Sequence, residues 1–87
     1  MEKSIHSTSY ATFLEELRKL RQRAGLTQAQ LADRIGETQT FVSKCERGER
    51  RIDVIELRTI CAVCGVGLKE FVSALERILD RGRSRRA

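Results

Sequence analysis

Four glycines divide this chain of 87 residues into short segments. Each of these glycines follows a stretch in which apolar residues recur every three or four positions. They are Gly25, Gly36, Gly48 and Gly65. This spacing is typical of amphipathic helices, and a glycine just beyond the last apolar residue commonly ends a helix. The chain has no proline, and the alternation of apolar and polar residues that marks strands is absent. The sequence therefore predicts an all-α fold, a compact bundle of five short helices.

Residues suited to capping indicate where three of the helices begin. Thr27, Thr38 and Asp53 each stand directly before an amphipathic stretch, and their side-chain oxygens can accept hydrogen bonds from the first backbone N–H groups of a helix. The first helix is predicted from about residue 10 to residue 23, and the third over residues 38–47. The side chains expected to face the core are Phe13, Leu17, Leu20, Ala24, Leu31, Ala32, Ile35, Val42, Cys45, Val54, Leu57, Ile60, Cys61, Cys64, Leu68, Phe71, Val72, Leu75, Ile78 and Leu79.

The same pattern divides the chain into three regions. Residues 1–9 are polar and rich in serine and threonine, so we expect a flexible N-terminal segment there. Residues 10–80 contain all the predicted helices and form one domain. Residues 81–87 carry four arginines and no acidic residue, which predicts a basic C-terminal tail. A chain of this length buries only about 60–65% of the surface that its unfolded form exposes, so the core is modest.

No segment predicts a membrane span or export. The longest mostly apolar run, residues 60–68, covers nine residues, whereas about 20 are needed to cross a bilayer. No apolar stretch follows Lys3, as it would in a signal peptide. Three cysteines, an odd number, fit a reducing compartment better than a disulfide framework. We therefore expect a cytoplasmic protein with no membrane partner.

The net charge of +5 is unevenly distributed. Residues 1–52 carry ten Lys and Arg against seven Asp and Glu, whereas residues 53–80 carry three against five. The arginine tail adds four positive charges, and it fits an arm that follows phosphates, an RNA-binding element or a solubilising chain end. This distribution is compatible with a polyanionic partner, but mildly basic surfaces also occur on proteins that bind none.

Residues 27–48 predict two short helices joined by a tight turn at Gly36, the arrangement of a helix-turn-helix unit. With Val42 and Cys45 facing the core, the opposite side of the third helix carries short polar or basic side chains. In the major groove of DNA, glutamine can bond bidentately to adenine, threonine can contact a thymine methyl and lysine can reach guanine. The residues predicted to contact bases are Gln39, Thr40, Phe41, Ser43 and Lys44.

Two alternatives stand beside this interpretation of the third helix. Phe41 departs from the small polar residue that is common at its place in such helices, and its ring either packs on a thymine methyl or folds back on the bundle. The whole face can also be an ordinary solvated helix surface. Short side chains at four outward positions favour the reading of DNA bases over that alternative.

A longer stretch of the sequence resembles a known family. The sequence LRKLRQRAGLTQAQLADRIGETQTFVSKCERGER, followed by a capped helix and CGVGLKEF, resembles the Cro/CI-type (XRE-like) helix-turn-helix regulators of prokaryotes and phages. The match covers about residues 17–71, and its most specific parts are GLTQAQLA, the Thr38-Gln39 helix start and the Glu46-Arg47-Gly48 ending. The resemblance implies a lambda-repressor-like five-helix fold with helices 2 and 3 as the helix-turn-helix. It also implies sequence-specific binding of double-stranded DNA, usually as a dimer.

The resemblance further implies roles for residues outside the reading face. Gln28, at the start of the second helix, would bond a DNA phosphate with the help of the positive end of the helix dipole. Thr27 either shares this task or serves only as a cap. Arg21 and Glu46 would form a partly buried salt bridge between the first and third helices, which is a structural role.

Basic residues follow the third helix directly. Arg47, Arg50 and Arg51 lie where one or two of them can reach phosphates, and Glu49 beside them argues against a contact by all three. The residues predicted to contact phosphates are Thr27, Gln28, Thr38, Arg47 and Arg50.

The cysteines and the single histidine predict no catalytic or metal site. Cys61 and Cys64 are spaced as C-x-x-C, but they fall on the core stripe of a helix without a second pair of ligands. Buried cysteines behave as small hydrophobic residues, so core packing is favoured over metal binding or redox sensing. His6 has no serine or cysteine partner at a meaningful spacing. We expect no enzyme activity, no cofactor, no metal and no small-molecule ligand.

Together these observations predict a DNA-binding regulator of transcription, a repressor that acts as a homodimer on a palindromic operator. One domain of this size reads only about 4–6 base pairs, so two copies on adjacent half-sites are needed. The fifth helix has apolar surface at Ile78 and Leu79 that serves either the dimer or additional core. One alternative is a DNA-binding antitoxin or restriction–modification controller with a protein partner. Another is a protein-interaction module without DNA binding.

Overall fold

A computed structural model describes residues 7–84, and this part of the chain contains α-helices and no strand. The predicted all-α architecture with five helices is confirmed over these residues. The helices are α1 (Thr8–Arg23), α2 (Gln28–Ile35), α3 (Gln39–Glu46), α4 (Val54–Val63) and α5 (Leu68–Ser84). None of the described helices is long and apolar enough to span a membrane.

The predicted caps begin three of the helices. Thr27, Thr38 and Asp53 are the N-cap residues of α2, α3 and α4, and each side chain accepts a hydrogen bond from the backbone N–H three residues later. Thr27 also takes part in a reciprocal capping box, because the Gln30 side chain accepts a bond of 2.9 Å from the Thr27 N–H. Gly36 ends α2 in the left-handed conformation, with φ of 74°, which glycine adopts without the steric cost of a Cβ atom.

The outer ends of α1 and α5 differ from the predicted bounds. The first helix begins at Thr8 rather than near Tyr10, because Ser7 accepts a hydrogen bond of 3.0 Å from the Tyr10 N–H and caps it. The fifth helix continues beyond Asp80 to Ser84, so the predicted basic tail begins inside a helix. Residues 1–6 of the predicted flexible segment and residues 85–87 of the tail lie outside the described residues.

The core is formed mainly by the residues that the helical periodicity selects. The prediction was wrong for Val54, which is 61% exposed because it begins α4 directly after the cap, and for Val72, which follows the buried Phe71 and lies off the inner face of α5. Ala24 is exposed because it lies past the last turn of α1, whereas Leu26, which the periodicity does not select, is buried. The buried apolar residues are Leu17, Leu20, Leu26, Leu31, Ala32, Val42, Cys45, Leu57, Ile60, Cys61 and Phe71.

Packing between the helices leaves the start of α3 at the surface. Helix α3 packs on α2 and on α1, α2 also packs on α4, and α5 packs on α1 and α4. Val42 and Cys45 carry the buried side of α3, as predicted. Gln39 and Thr40, in its first turn, are exposed.

Candidate nucleic-acid interface

A buried carboxylate fixes the end of α3 against α1. Glu46 is only 3% exposed, and its side chain accepts hydrogen bonds from Arg21 Nε at 2.7 Å and from Arg21 Nη2 at 3.1 Å. This is the salt bridge that the family resemblance implies. A planar guanidinium matches a carboxylate through two parallel N–H groups, which sets direction as well as distance. The pair therefore fixes the position of α3 relative to the bundle.

The neighbours of this pair strengthen the same junction. Arg21 Nη1 donates a hydrogen bond of 2.8 Å to the Leu26 carbonyl, which links the pair to the loop before α2. Arg18 Nη2 donates to the Glu46 carbonyl at 3.3 Å, so a second arginine of α1 satisfies the C-terminal end of α3. These bonds tie α1, the following loop and α3 together.

The Gln28 side chain joins the same network. Its Nε2 donates a hydrogen bond of 3.0 Å to Glu46 Oε1, and the residue is half-buried at the start of α2. A side-chain amide has two N–H donors, and a phosphate can only accept hydrogen bonds. The bond to Glu46 uses one donor and leaves the second for a ligand. Glu46 therefore orients the amide that is predicted to contact a phosphate.

The reading face of α3 is exposed at its N-terminal turn. Within residues 7–84, the side chains of Gln39 and Thr40 have no hydrogen-bond partner, and both are exposed together with Lys44. Ser43 is half-buried, and its hydroxyl accepts a hydrogen bond from Arg47 Nη1. Three of the five predicted base contacts are thus exposed to solvent, whereas the Ser43 hydroxyl already accepts a hydrogen bond.

Phe41 folds back on the bundle. The residue is half-buried and packs against the core cluster, and the guanidinium carbon of Arg50 lies 4.5 Å from the centre of its ring. An arginine at this distance over an aromatic face is a cation–π contact. Of the two alternatives for this side chain, the structure shows the second. A contact between the Phe41 ring and a thymine methyl stays a prediction.

Two of the three arginines beyond α3 are paired with acidic residues. Arg47 Nε lies 2.8 Å from a Glu49 carboxylate oxygen, and Arg50 donates to both carboxylate oxygens of Glu56 at 3.0 and 2.9 Å. Hydrogen bonds from the arginines lower the pKa of each of these two carboxyl groups. The Arg51 side chain is exposed and makes no hydrogen bond or ion pair within the described residues.

The two predicted threonine contacts are both N-caps. Thr27 Oγ1 accepts from the Gln30 N–H and Thr38 Oγ1 accepts from the Phe41 N–H, each at 3.1 Å. Because a hydroxyl can accept and donate at once, capping leaves the hydroxyl proton of each threonine available to an acceptor. The two caps lie at the starts of α2 and α3, where the helix dipoles favour an anion.

The cysteines lie in the interior as free thiols. Cys45 and Cys61 are buried and Cys64 is half-buried, and burial raises the pKa of all three. The effect is largest for Cys61, whose pKa is about 11. No group of metal-ligating residues is present in the part of the chain that the structure describes, which does not include His6. Protonated, buried thiols are poor nucleophiles and poor metal ligands.

Comparisons with known proteins agree with this geometry. A helix-turn-helix family model matches residues 17–71. An XRE-family like protein from Pseudomonas syringae pv. tomato str. DC3000 has a solved structure that superposes with a TM-score of 0.78 at 43% identity, over 86% of this chain and 92% of the other. Control protein C.MunI from Mycoplasma sp is 33% identical over 66 residues, 75% of this chain and 89% of that protein. The chain therefore belongs to the XRE-like helix-turn-helix family of DNA-binding transcriptional regulators.

Proposed function

We propose that this regulator represses transcription as a homodimer on a palindromic operator, with α3 in the major groove of each half-site. The observation that carries the proposal is the first turn of α3, where Gln39 and Thr40 are exposed and their side chains have no hydrogen-bond partner within the described residues. Exposed polar side chains without an internal partner, at the N-terminal end of a recognition helix, can form hydrogen bonds with base edges. A dimer that occupies an operator overlapping a promoter represses by excluding the polymerase.

Contacts with the DNA phosphates would hold α3 in the major groove. We assign this role to the second N–H donor of the Gln28 amide and to the hydroxyls of Thr27 and Thr38. Arg47 and Arg50 join them if their ion pairs with Glu49 and Glu56 open on DNA. Arg51 needs no such rearrangement, which makes it the more favourable arginine contact.

Selection of binding sites from a pool of random duplexes tests the proposed function. We expect a palindrome to be enriched at moderate salt, with two half-sites about one helical turn apart. A pool without any enriched sequence would contradict specific DNA reading by this chain. Placing the selected site over a reporter promoter then tests repression, since a rise in transcription would contradict that part of the proposal.

A second candidate is a controller protein that regulates a restriction–modification system. The similarity to control protein C.MunI over 89% of its length favours this candidate. Both candidates use the same reading face, so they differ in the genes controlled rather than in the contacts with DNA. Selection from genomic fragments separates them, because the genes beside the bound fragments identify the regulated function.

A further inference from the structure

Three side chains converge on the carboxylate of Glu46, and one of them, Arg18, is not among the predicted DNA contacts. Arg21 and Gln28 donate hydrogen bonds to this carboxylate. The Nε of Arg18 lies 3.8 Å from Glu46 Oε1. The same oxygen accepts the bond of 3.0 Å from Gln28 Nε2. Arg18 and Gln28 therefore lie side by side at one carboxylate oxygen, where α1 and the start of α2 meet.

The charges of this cluster do not cancel. Glu46 contributes one negative charge, and the guanidinium groups of Arg18 and Arg21 contribute two positive charges. Arg21 satisfies the carboxylate with two hydrogen bonds, and its side chain is only 11% exposed. The side chain of Arg18 is 46% exposed, so the excess positive charge lies at the surface. An excess positive charge beside a half-buried amide suits an anionic ligand.

Most of the hydrogen-bonding capacity of Arg18 is unused. A guanidinium has five N–H donors. Within residues 7–84, Arg18 makes a single hydrogen bond, from Nη2 to the Glu46 carbonyl at 3.3 Å. Its ion pair with Glu46 Oε1 is too long to be a second one. The one bond holds the guanidinium at the end of α3, which lowers the entropy that a ligand must remove, and the other donors stay available.

We propose that Arg18 and Gln28 bind one DNA phosphate together, with Arg18 supplying the charge and Gln28 a directed N–H. The proposal rests on the proposed function and adds to it a phosphate contact from α1. Gln28 alone would bring a neutral amide to the phosphate, beside the negative charge of Glu46. Because Arg21 is engaged with that carboxylate, the charge that attracts the phosphate comes from Arg18. A phosphate has several acceptor oxygens and can accept from both side chains at once.

The position of the site is compatible with the reading of bases by α3. Arg18 is bonded to Glu46, the last residue of α3, whereas the exposed side chains proposed to contact bases lie in the first turn. A phosphate contact beside one end and base contacts at the other would fix both ends of α3 on the DNA. This arrangement sets the angle of the helix in the groove as well as its depth.

Other cations of α1 are differently placed. Lys19 donates to Glu16 at 3.4 Å, one turn back on the same helix. Arg23 is exposed, and it lines a groove between α1 and α5 rather than the cluster around Glu46. Arg23 therefore offers a matched control for Arg18, since it has the same charge on the same helix without the proposed phosphate site.

The salt dependence of DNA binding by the full chain tests the site. The probe is a mixed-sequence duplex, because a phosphate contact does not depend on the bases. We expect Arg18→Gln to reduce the slope of log K against log salt by about 0.9 for each bound copy, and to weaken binding at low salt at least about tenfold. Arg18→Lys keeps the charge and should keep the slope. Arg23→Gln removes an equal charge and should leave the slope near that of wild type.

Combining Arg18→Gln with Gln28→Ala tests whether the two residues share one phosphate. Side chains that bind the same group have effects that are not independent. The double variant should therefore weaken binding by less than the product of the two single factors. A loss equal to that product would overturn the shared site, because it would indicate two separate contacts.

Three results with Arg18→Gln would overturn the role of Arg18 itself. One is wild-type affinity, and another is a loss of slope no larger than that of Arg23→Gln, which would reflect net charge alone. The third is weaker binding with an unchanged slope, because a purely structural role of Arg18 would act in that way. Circular dichroism verifies that each variant is folded. Arg18→Met, which keeps the aliphatic stem and should lose the same slope, replaces Arg18→Gln if the latter is unfolded.

Failure of the proposed function has a different signature. If Arg18→Gln lowers the slope but the pool of random duplexes yields no enriched sequence, the phosphate site stands and the regulator proposal falls. If a palindrome is enriched but Arg18→Gln keeps the wild-type slope, the regulator proposal stands and the phosphate site falls.

Discussion

The carboxylate of Glu46, almost completely buried, accepts two hydrogen bonds from the guanidinium of Arg21. The two residues lie 25 positions apart, on α3 and α1. The same carboxylate orients the Gln28 amide at the start of α2. One acidic group therefore sets the positions of three helices and of one predicted phosphate contact.

Replacing Arg21 should strongly destabilise the fold. Arg21→Met leaves the Glu46 carboxylate in the interior without its main partner, and breaking a buried ion pair costs about 3–5 kcal/mol. Urea unfolding followed by circular dichroism measures the free energy of unfolding. The double variant Arg21→Met with Glu46→Met is the control, since it removes both charges and should be more stable than Arg21→Met. A loss below about 1 kcal/mol in the single variant would contradict the structural role.

Two glutamines should separate specificity from affinity. Gln39→Ala removes a proposed base contact, and a good bidentate contact contributes about 1–3 kcal/mol of discrimination between bases. We therefore expect discrimination at one position of the selected half-site to fall by about 5- to 150-fold. Gln28→Ala should weaken all sequences alike, because it removes only a phosphate donor. If the Gln39→Ala protein selects the same sequence as wild type, Gln39 does not contact a base.

Arg51 should account for more of the salt dependence of binding than Arg47. Each phosphate neutralised by a cation changes the slope of log K against log salt by about 0.9. Arg51→Ala should reduce the slope by about this amount, because its side chain needs no rearrangement to reach DNA. The comparison is Arg47→Ala with Glu49→Ala, which removes an ion pair of zero net charge and should change the slope less than Arg51→Ala does. Equal slopes for wild type and Arg51→Ala would place the contact elsewhere.

The fold should lose stability in alkali through Cys61. Burial raises its pKa from the ordinary 9.0 to about 11, so between these values the folded chain keeps a proton that the unfolded chain loses. The stabilisation is present below pH 9 and disappears as pH rises toward 11. The free energy of unfolding of wild type should fall by about 2 kcal/mol more than that of Cys61→Ala over this interval. If the free energy of unfolding falls with pH to the same extent in both proteins, the shifted pKa of Cys61 is contradicted.

Features that depend on nearby residues could be predicted from the sequence. The cap at Thr27 needs only a backbone N–H three residues later, and the same holds at Thr38 and Asp53. The buried sides of α2 and α3 follow from the helical period, because neighbours one turn apart share a face. The family resemblance supplied the pair of Arg21 with Glu46, which no local pattern contains.

Features that depend on loop geometry or on the ends of helices could not be predicted. The contact of Arg50 with both Phe41 and Glu56 arises because the loop after α3 turns the guanidinium back across the ring. Val54 fits the apolar period of α4 but begins the helix, where no element within residues 7–84 covers it. The bond from Gln28 to Glu46 depends on the angle between α2 and α3, which a sequence period does not specify.

Phe41 lies on α3, and its ring contacts both the core cluster and the guanidinium of Arg50. A change in the size of this ring would therefore alter the position of α3 and that of Arg50 in a single step. Under the proposed function, the bases preferred within a half-site and the strength of the phosphate contacts are then not independent traits. In the evolution of this protein, a substitution at Phe41 would change both together.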